Sequence, residues 1–180
     1  MRKKIVFNVL EVFGMKLIRR KINLESDKDY VLERHCRISY ESDCPWKREM
    51  SYEDYRAEWF SLQGQTNGFL DALAESMNDA RAIAEIIENE SNEIIAFLWV
   101  SFFEDVESGF CFADVQDIYV EDKFRTMGIA SLLMKYAEDK ARESGAKVIR
   151  SGTGCENVKS IGLHEKLGYY QYRYEFEKLL

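Results

Sequence analysis

Residues 117–130 read Asp-Ile-Tyr-Val-Glu-Asp-Lys-Phe-Arg-Thr-Met-Gly-Ile-Ala, and this stretch decides the fold of the chain. The apolar run Ile118-Tyr119-Val120 predicts the end of a strand, and an amphipathic helix is predicted to begin after Gly128. A glycine at this turn lets the backbone approach a ligand closely, and the first amides of a helix have no intrahelical partners. The turn at residues 125–130 is therefore predicted to hold an anion such as a phosphate.

A second motif follows the helix and a short strand. It combines Asn157-Val158-Lys159-Ser160 with Leu163-His164-Glu165-Lys166-Leu167-Gly168-Tyr169. Together the two motifs resemble the signature of the GNAT superfamily of acetyl-CoA-dependent N-acetyltransferases. In that signature a strand runs into Gln/Arg-x-x-Gly-x-Gly/Ala at a helix start, and Asn-x-x-Ala/Ser-x-x-Leu-Tyr-x-Lys-x-Gly-Phe follows. The match is in two parts, which agree in order and in spacing.

The resemblance implies a mixed α/β (α+β) fold, with a mostly antiparallel central sheet, a splayed pair of parallel strands and flanking helices. It also implies acetyl-CoA as cosubstrate, with its pantetheine in the gap between the splayed strands and its pyrophosphate at the helix start. A backbone amide near Ile118 would polarise the thioester carbonyl. The residues expected to bind acetyl-CoA are Ile118, Tyr119, Val120, Arg125, Thr126, Met127, Gly128, Ile129, Ala130, Asn157 and Ser160.

The hydrophobic pattern of the rest of the chain agrees with this order of elements. Three helices are predicted before the sheet, at residues 26–41 with a cap at Ser26, from Ser51 to a stop at Gly64, and at residues 67–77. Strands are then predicted at residues 82–88, 94–103 and 110–120 as an antiparallel meander. Because a parallel neighbour requires a crossover, residues 147–150 are predicted to return through the intervening helix and pair parallel with the 110–120 strand.

A first strand is expected at residues 16–22, where the resemblance begins. We therefore expect residues 1–14 to be an N-terminal extension and residues 15–180 to form a single acetyltransferase domain. The length of 180 residues suits one domain. The short stretch from Tyr170 to Leu180 can supply little more than one strand. The acceptor pocket is thus expected to be open, or completed by the helix at residues 67–77 or by a second copy in a homodimer.

The amino-acid composition argues against several classes of protein, namely nucleic-acid-binding, metal-binding and membrane-spanning proteins. Lys and Arg total 25 against 32 Asp and Glu, a net charge of -7, which disfavours nucleic acid as a partner and favours a cationic or amine ligand. The four cysteines have no C-x-x-C spacing and there are only two histidines, so we expect reduced thiols and no metal site. No segment approaches the roughly 20 apolar residues of a bilayer span, so a cytoplasmic protein is expected.

Acetyl transfer to an amine requires the amine to lose its proton. At an ordinary pKa near ~10.4, the neutral form of a lysine-like amine costs roughly 4 to 5 kcal/mol at neutral pH, so a general base is useful. The resemblance places Asp114 where some family members carry a glutamate base, and Asp117 is the second candidate if the strand bulges there. Alternatively, both are solvated strand carboxylates. Residues 104–122 contain seven acids and no base, which favours a cationic acceptor.

His164 is the main departure from the family pattern, because it stands where a tyrosine usually protonates the leaving thiolate. Histidine can supply that proton, but a thiol near pKa ~8.5 is already a fair leaving group, and His164 can instead be a packing residue. No cysteine lies in the motifs, so direct attack of the amine is expected rather than an acyl-enzyme.

Other interpretations remain beside this one. Asn157 can be only the N-cap of the last helix. Gly152-Thr153-Gly154 lacks the third glycine of a dinucleotide motif, since Asn157 takes that position. A catalytically weak domain that binds acetyl-CoA as a sensor or interaction module is the alternative function, and turnover with an amine would separate the two.

Overall fold

The computed structural model describes residues 9–12, 14–42 and 49–178, with the side chains of residues 9–12 left undescribed. It contains one six-stranded sheet in the order β1-β2-β3-β4-β5-β6. All neighbouring strands are antiparallel except β5 and β6, which are parallel, so the predicted meander and parallel crossover are confirmed. The strands are β1 (Val9–Val12), β2 (Met15–Lys21), β3 (Ile83–Glu88), β4 (Ile94–Asp105), β5 (Phe110–Val120) and β6 (Val148–Ser151).

The helices are α1 (Leu24–Ser42), α2 (Tyr52–Ser61), α3 (Gln63–Ser76), α4 (Ile129–Glu143) and α5 (Val158–Lys166). The predicted cap at Ser26 is wrong, because α1 begins at Leu24 and the Asn23 Oδ1 atom accepts the Glu25 amide at 3.0 Å. The cap at Ser51 is confirmed, since its Oγ atom accepts the Asp54 amide at 3.1 Å. Gly64 does not end α2, because α3 starts at once and contains it.

Two hydrophobic cores cover the two faces of the sheet. On one face, α4 packs Leu133, Met134 and Ala137 against β4 and β5. On the other face, α1, α2 and α3 pack around Phe97 and Trp99 of β4. The segment Ile95–Val100 of β4 is buried throughout, as its nearly continuous apolar sequence predicts for a strand covered on both sides.

A bulge in β5 changes which face its side chains point to. Trp99 of β4 pairs with Asp117 and Val100 pairs with Val115, so Gln116 has no partner on β4. One extra residue reverses the alternation of a strand. Val115 therefore packs in the α4 core, whereas Asp117 lies on the opposite face, which is covered by α1.

The same region is where β5 and β6 separate. Their parallel pairing runs from Phe112 beside Val148 to Val115 beside Ser151, where β6 ends. Residues 116–120 of β5 continue without β6 beside them, which leaves backbone groups on that side of the strand without a strand partner. The splayed pair that the family resemblance implied is thus present.

The two ends of the described chain add little to the sheet. Residues 9–12, within the predicted N-terminal extension, pair with β2 as its edge strand, while residues 1–8 and 13 lie outside the described residues. Residues 169–178 form neither helix nor strand. Across the described ranges, we find no helix with the length and apolar character needed to cross a bilayer.

Candidate active site

A cleft of about 470 Å³ opens where β5 leaves β6. Its walls are the free side of β5, the start of α4, the segment from Ser151 through α5, and the last turn of α1. The residues predicted from the sequence that line it are Ile118, Tyr119, Val120, Arg125, Thr126, Gly128, Ile129, Ala130, Asn157, Ser160 and His164. The structure therefore brings the two sequence motifs together in one cavity.

The turn before α4 presents backbone donors to this cleft. Gly128 is the N-cap with φ 76°, a left-handed conformation that glycine adopts without strain. The first intrahelical hydrogen bond runs from the Leu132 amide to the Gly128 carbonyl at 3.1 Å. The amides of Ile129, Ala130 and Ser131 therefore precede the helical ladder, and the positive end of the helix dipole adds to their attraction for an anion.

Arg125 fixes this turn to the rest of the site. Its Nε atom donates to the Val120 carbonyl at 3.0 Å and lies 3.1 Å from the Asp122 carboxylate. Its guanidinium also lies over the Tyr119 ring, 5.0 Å from the centroid. Arg125 thus ties the end of β5 to the turn and brings a positive charge to the cleft wall.

The opposite wall is built around Asn157. Its Oδ1 atom accepts the Ser160 amide at 3.2 Å, so Asn157 caps α5 as predicted. Its side-chain Nδ2 shows no partner among the described residues, which leaves two N–H donors at the cleft wall. Lys159 and Lys166, which sequence analysis did not assign to the site, bring further positive charge to the same wall.

Two residues that line this cleft each carry a buried polar atom for which the described part of the chain provides no hydrogen-bond partner. These atoms are the Thr153 Oγ1 atom and the His164 Nε2 atom. Buried polar groups in proteins are nearly always hydrogen-bonded, so an orphan pair beside a cavity indicates a ligand. The donors, the positive charges and the unpaired side of β5 fit a ligand with phosphates at one end and an amide-containing chain at the other, as in acetyl-CoA.

His164 is held in a defined orientation on α5. Its Nδ1 atom lies 2.7 Å from the Ser160 carbonyl and therefore carries a proton. The Tyr169 ring meets it edge-on, with centroids 5.2 Å apart. Any proton transfer at this residue would therefore use Nε2, which has no hydrogen-bond partner among the described residues.

The two predicted carboxylate bases lie on the side of β5 that faces α1. Asp114 is half-buried and does not line the cleft. Burial raises the pKa of its carboxyl group, while a hydrogen bond with Gln116 and the charge of Arg150 oppose the shift. In the sheet, Asp114 stands between Ser101 of β4 and Arg150 of β6.

Asp117 has a different environment, because its carboxylate is covered. Its side chain is 1% exposed, and its Oδ2 atom lies 2.9 Å from the Nδ1 atom of His35 on α1. Burial raises the pKa of the Asp117 carboxyl group, and the hydrogen bond from His35 opposes that shift. His35 was not among the site residues predicted from the sequence.

The positions of Met127 and of the acidic run at residues 104–122 differ from those expected from the sequence. The Met127 side chain does not line the cleft and packs against the α4 core. The acidic run at residues 104–122 is not a single negative surface, because basic side chains from other elements pair with several of its members. Those pairs are Glu121 with Arg34, Asp122 with Arg125 and Glu104 with Arg81.

The C-terminal end of α1 contributes further cleft residues that were not predicted from the sequence. Ile38, Glu41 and Ser42 line the cleft. Gly154 allows the approach of α1 to the loop after β6, because an added Cβ would lie 2.5 Å from the Ser42 carbonyl oxygen. This contact, rather than dinucleotide binding, explains the second glycine of Gly152-Thr153-Gly154.

Comparison with known proteins agrees with this geometry. Residues 37–169 match the model of the Acetyltransferase (GNAT) family. An uncharacterized N-acetyltransferase of Bacillus subtilis is 30% identical over 119 residues, which cover 66% of this chain and 76% of that protein. An uncharacterized N-acetyltransferase of Methanocaldococcus jannaschii is 30% identical over 71 residues, 39% of this chain, and the match spans only 30% of that longer relative.

A solved structure shows the same fold over nearly its whole length. A proposed acetyl transferase of Pyrococcus furiosus superposes with a TM-score of 0.63 at 23% identity, covering 90% of this chain and 99% of that protein. The family match includes β5, the turn at Gly128, α4 and α5, which are the elements that build the cleft. The chain therefore belongs to the GNAT family of acetyltransferases, acyltransferase enzymes that take their acetyl group from acetyl-CoA.

Proposed function

We propose that this protein transfers the acetyl group of acetyl-CoA to a primary amine of a small molecule or peptide by direct attack. The observation that carries the proposal is the continuous cleft that joins the anion-binding turn at Gly128 to the unpaired side of β5 beside the bulge. The turn supports phosphate binding, and residues 116–120 offer backbone groups to an amide-containing chain.

The cosubstrate supplies an activated acetyl group, and the chain supplies binding and orientation. Ile129, Ala130 and Ser131 would hold the pyrophosphate through their amides, with Asn157 on the opposite wall. A backbone amide near Ile118 would stabilise negative charge on the carbonyl oxygen. These roles support direct attack, which needs the two substrates side by side and no covalent intermediate on the protein.

The acceptor is proposed to reach the reaction centre from the α1 side of β5. Both Asp114 and Asp117 lie on that side, and Asp114, the more exposed of the two carboxylates, supports the approach of a protonated amine. Asp114 is half-buried, and its raised pKa makes it a better proton acceptor than an ordinary surface carboxylate. Asp117 is covered by His35, so it can exchange a proton with a substrate only through that histidine.

Loss of the thiolate is the second proton step. We propose that His164 protonates the departing sulfur through Nε2, because Nδ1 is engaged by the Ser160 carbonyl. Nε2 carries a transferable proton only when the ring is an imidazolium. The role therefore requires His164 to be protonated before the thiolate leaves.

Turnover tests this function against a sensor that only binds acetyl-CoA. The purified protein is incubated with acetyl-CoA and a panel of primary amines that includes diamines, amino sugars and lysine-containing peptides, and CoA is quantified by chromatography. We expect release of CoA that depends on one class of amine and is absent with Gly128→Glu. Tight acetyl-CoA binding by calorimetry without CoA release across the panel would favour the sensor.

A further inference from the structure

His35 and Asp117 form a buried pair that the roles above leave unexplained. The two residues are far apart in sequence, on α1 and β5, and meet at 2.9 Å between Nδ1 and Oδ2. The Asp117 side chain is 1% exposed, whereas the His35 side chain is 27% exposed. The carboxylate is therefore sealed, and the imidazole lies between it and the outside.

The surroundings of the His35 ring fix its orientation. The Phe69 ring of α3 stacks on it with centroids 4.1 Å apart, and Trp59 of α2 meets it edge-on at 5.8 Å. Among the described residues, Asp117 is the one charged side chain recorded in contact with the ring. Nε2 shows no partner in that part of the chain, so it is the nitrogen free to meet another molecule.

This contact also fixes the proton on one nitrogen. An ionised Asp117 accepts a hydrogen bond, so Nδ1 of His35 must donate it. In the neutral ring Nε2 then carries a lone pair, which is the form that accepts a proton. If Nε2 gains that proton, the adjacent carboxylate stabilises the imidazolium, as the acid of a catalytic triad does for its histidine.

Neither His35 nor Asp117 lines the cleft itself, but both adjoin residues that do. Gln116 and Ile118, the neighbours of Asp117 in sequence, both line the cleft. Ile38, one turn beyond His35 on α1, lines it as well. The bulge at Gln116 is what turns the Asp117 side chain toward α1, at the same level of β5 as the start of the splay.

We propose that His35 is the general base of the acetyl transfer and that Asp117 is its positioning residue. This inference rests on the function proposed above. The neutral amine nitrogen forms a bond to the acetyl carbonyl carbon, the carbon–sulfur bond breaks, and the departing sulfur takes its proton from His164. The proton lost by the nitrogen passes to Nε2 of His35, directly or through one water, and returns to solvent before the next cycle.

Substitution with a matched control tests the role. His35→Asn retains a donor for Asp117 but cannot accept the proton, and Asp117→Asn removes the negative charge that orients and stabilises the ring. We expect losses in kcat/KM of about 10²- to 10⁴-fold for His35→Asn and at least about tenfold for Asp117→Asn. Asp29→Asn, an exposed change on the same helix, should leave activity unchanged.

The pH profile separates a base from a packing residue. If His35 is the base, kcat/KM of the parent protein should fall on the acid side of its pH profile, and this acid limb should disappear in His35→Asn. Acetyl-CoA affinity by calorimetry should be the same in both proteins. A His35→Asn protein that keeps its rate and its acid limb would overturn the inference while leaving acetyl transfer intact.

A measurement on the free protein does not depend on turnover. The chain has two histidines, so nitrogen NMR can assign His35 in the parent as the ring whose signals remain in His164→Phe. We expect the neutral ring of His35 to carry its proton on Nδ1 in the parent. A neutral ring with its proton on Nε2 would exclude the base role even if the variants fail to fold. A parent that releases no CoA with any amine would remove the proposed function, and the role of His35 with it.

Discussion

The Nδ1 atom of His164 lies 2.7 Å from the carbonyl oxygen of Ser160, one turn earlier on α5. The carbonyl can only accept, so the hydrogen bond places a proton on Nδ1 and leaves Nε2 as the nitrogen that can exchange one. His164 and His35 thus share an arrangement, in which Nδ1 is engaged by the protein and Nε2 is left to act. Their expected roles are opposite, because His164 gives a proton and His35 takes one.

The proposed acid role predicts a difference between two substitutions at His164. His164→Tyr should keep most of the activity, because a phenol can donate a proton. His164→Phe should lose at least about tenfold in kcat with little change in acetyl-CoA affinity. Steady-state kinetics and calorimetry on both variants measure the difference. Equal turnover of the phenylalanine variant and the parent would make His164 a packing residue.

The anion-binding turn predicts a loss of binding in Gly128→Glu, because the new side chain places bulk and negative charge beside the first amides of α4. Gly145, at the other end of the same helix, is the control. Both glycines have positive φ and open space around them, so Gly145→Glu should carry a similar backbone strain. We expect calorimetry to show at least about a hundredfold loss of acetyl-CoA affinity in the first variant and near-parent affinity in the second, a difference of about 2.7 kcal/mol.

Comparing the stability of Gly128→Glu and Gly145→Glu separates the effect of backbone strain from the electrostatic effect on acetyl-CoA binding. Thermal unfolding should show similar losses of stability for the two glutamate variants. Comparable acetyl-CoA affinity in both would place the phosphates elsewhere than at residues 125–130.

Substitution of Asp114 tests the competing assignment, in which Asp114 rather than His35 is the general base. Asp114 lies beside Arg150, whose charge favours the ionised carboxylate, so we expect Asp114→Asn to lower kcat/KM by less than about tenfold and chiefly through KM for a charged acceptor. Kinetics with His35→Asn in parallel give the comparison. A loss of 10² or more in Asp114→Asn, partly recovered at high pH, would return the role of base to Asp114.

Most of the sheet could be predicted from the sequence, because strands and turns are indicated by residues that are neighbours in the chain. The unbroken apolar run of β4 indicated a strand buried on both faces, and the glycine at position 128 marked the start of α4. The errors concern single boundary residues. Ser26 looked like a cap, but Asn23 also has a side-chain oxygen and precedes it. Gly64 looked like a stop, yet it falls in the first turn of α3, where the backbone has not yet entered the helical ladder.

The catalytic side of the site could not be predicted in the same way. The sequence does not show that β5 bulges at Gln116, and without the bulge Asp117 would point toward α4 rather than α1. The contact of Asp117 with His35 joins β5 to α1, which are distant in sequence. It forms only because the bulge at Gln116 reverses the face to which the Asp117 side chain points. The proposed cofactor-binding side was easier to predict, since Gly128 and Asn157 occupy a turn and a cap that their own sequence neighbours define.

The close approach of Ser42 to Gly154 predicts a cost in stability. An alanine Cβ at position 154 would lie 2.5 Å from the Ser42 carbonyl oxygen, so α1 or the loop after β6 must move. We expect Gly154→Ala to lower the free energy of unfolding by about 1 to 3 kcal/mol and to weaken acetyl-CoA binding. Gly152→Ala, with nothing within 4 Å of its added Cβ, is the control. Equal denaturation midpoints for the two variants would show that the contact is not tight.

Direct transfer from acetyl-CoA to an amine is the central claim, and mass spectrometry with isotopically labelled acetyl-CoA tests it most directly. Cys155, exposed in the turn before α5, is a thiol that an acyl-enzyme route could use. We expect the label to appear on the amine, the mass of the protein to stay unchanged when the amine is omitted, and Cys155→Ser to turn over as the parent does. Labelled acetyl on the protein that is then passed to the amine, or no label on any amine, would contradict the account.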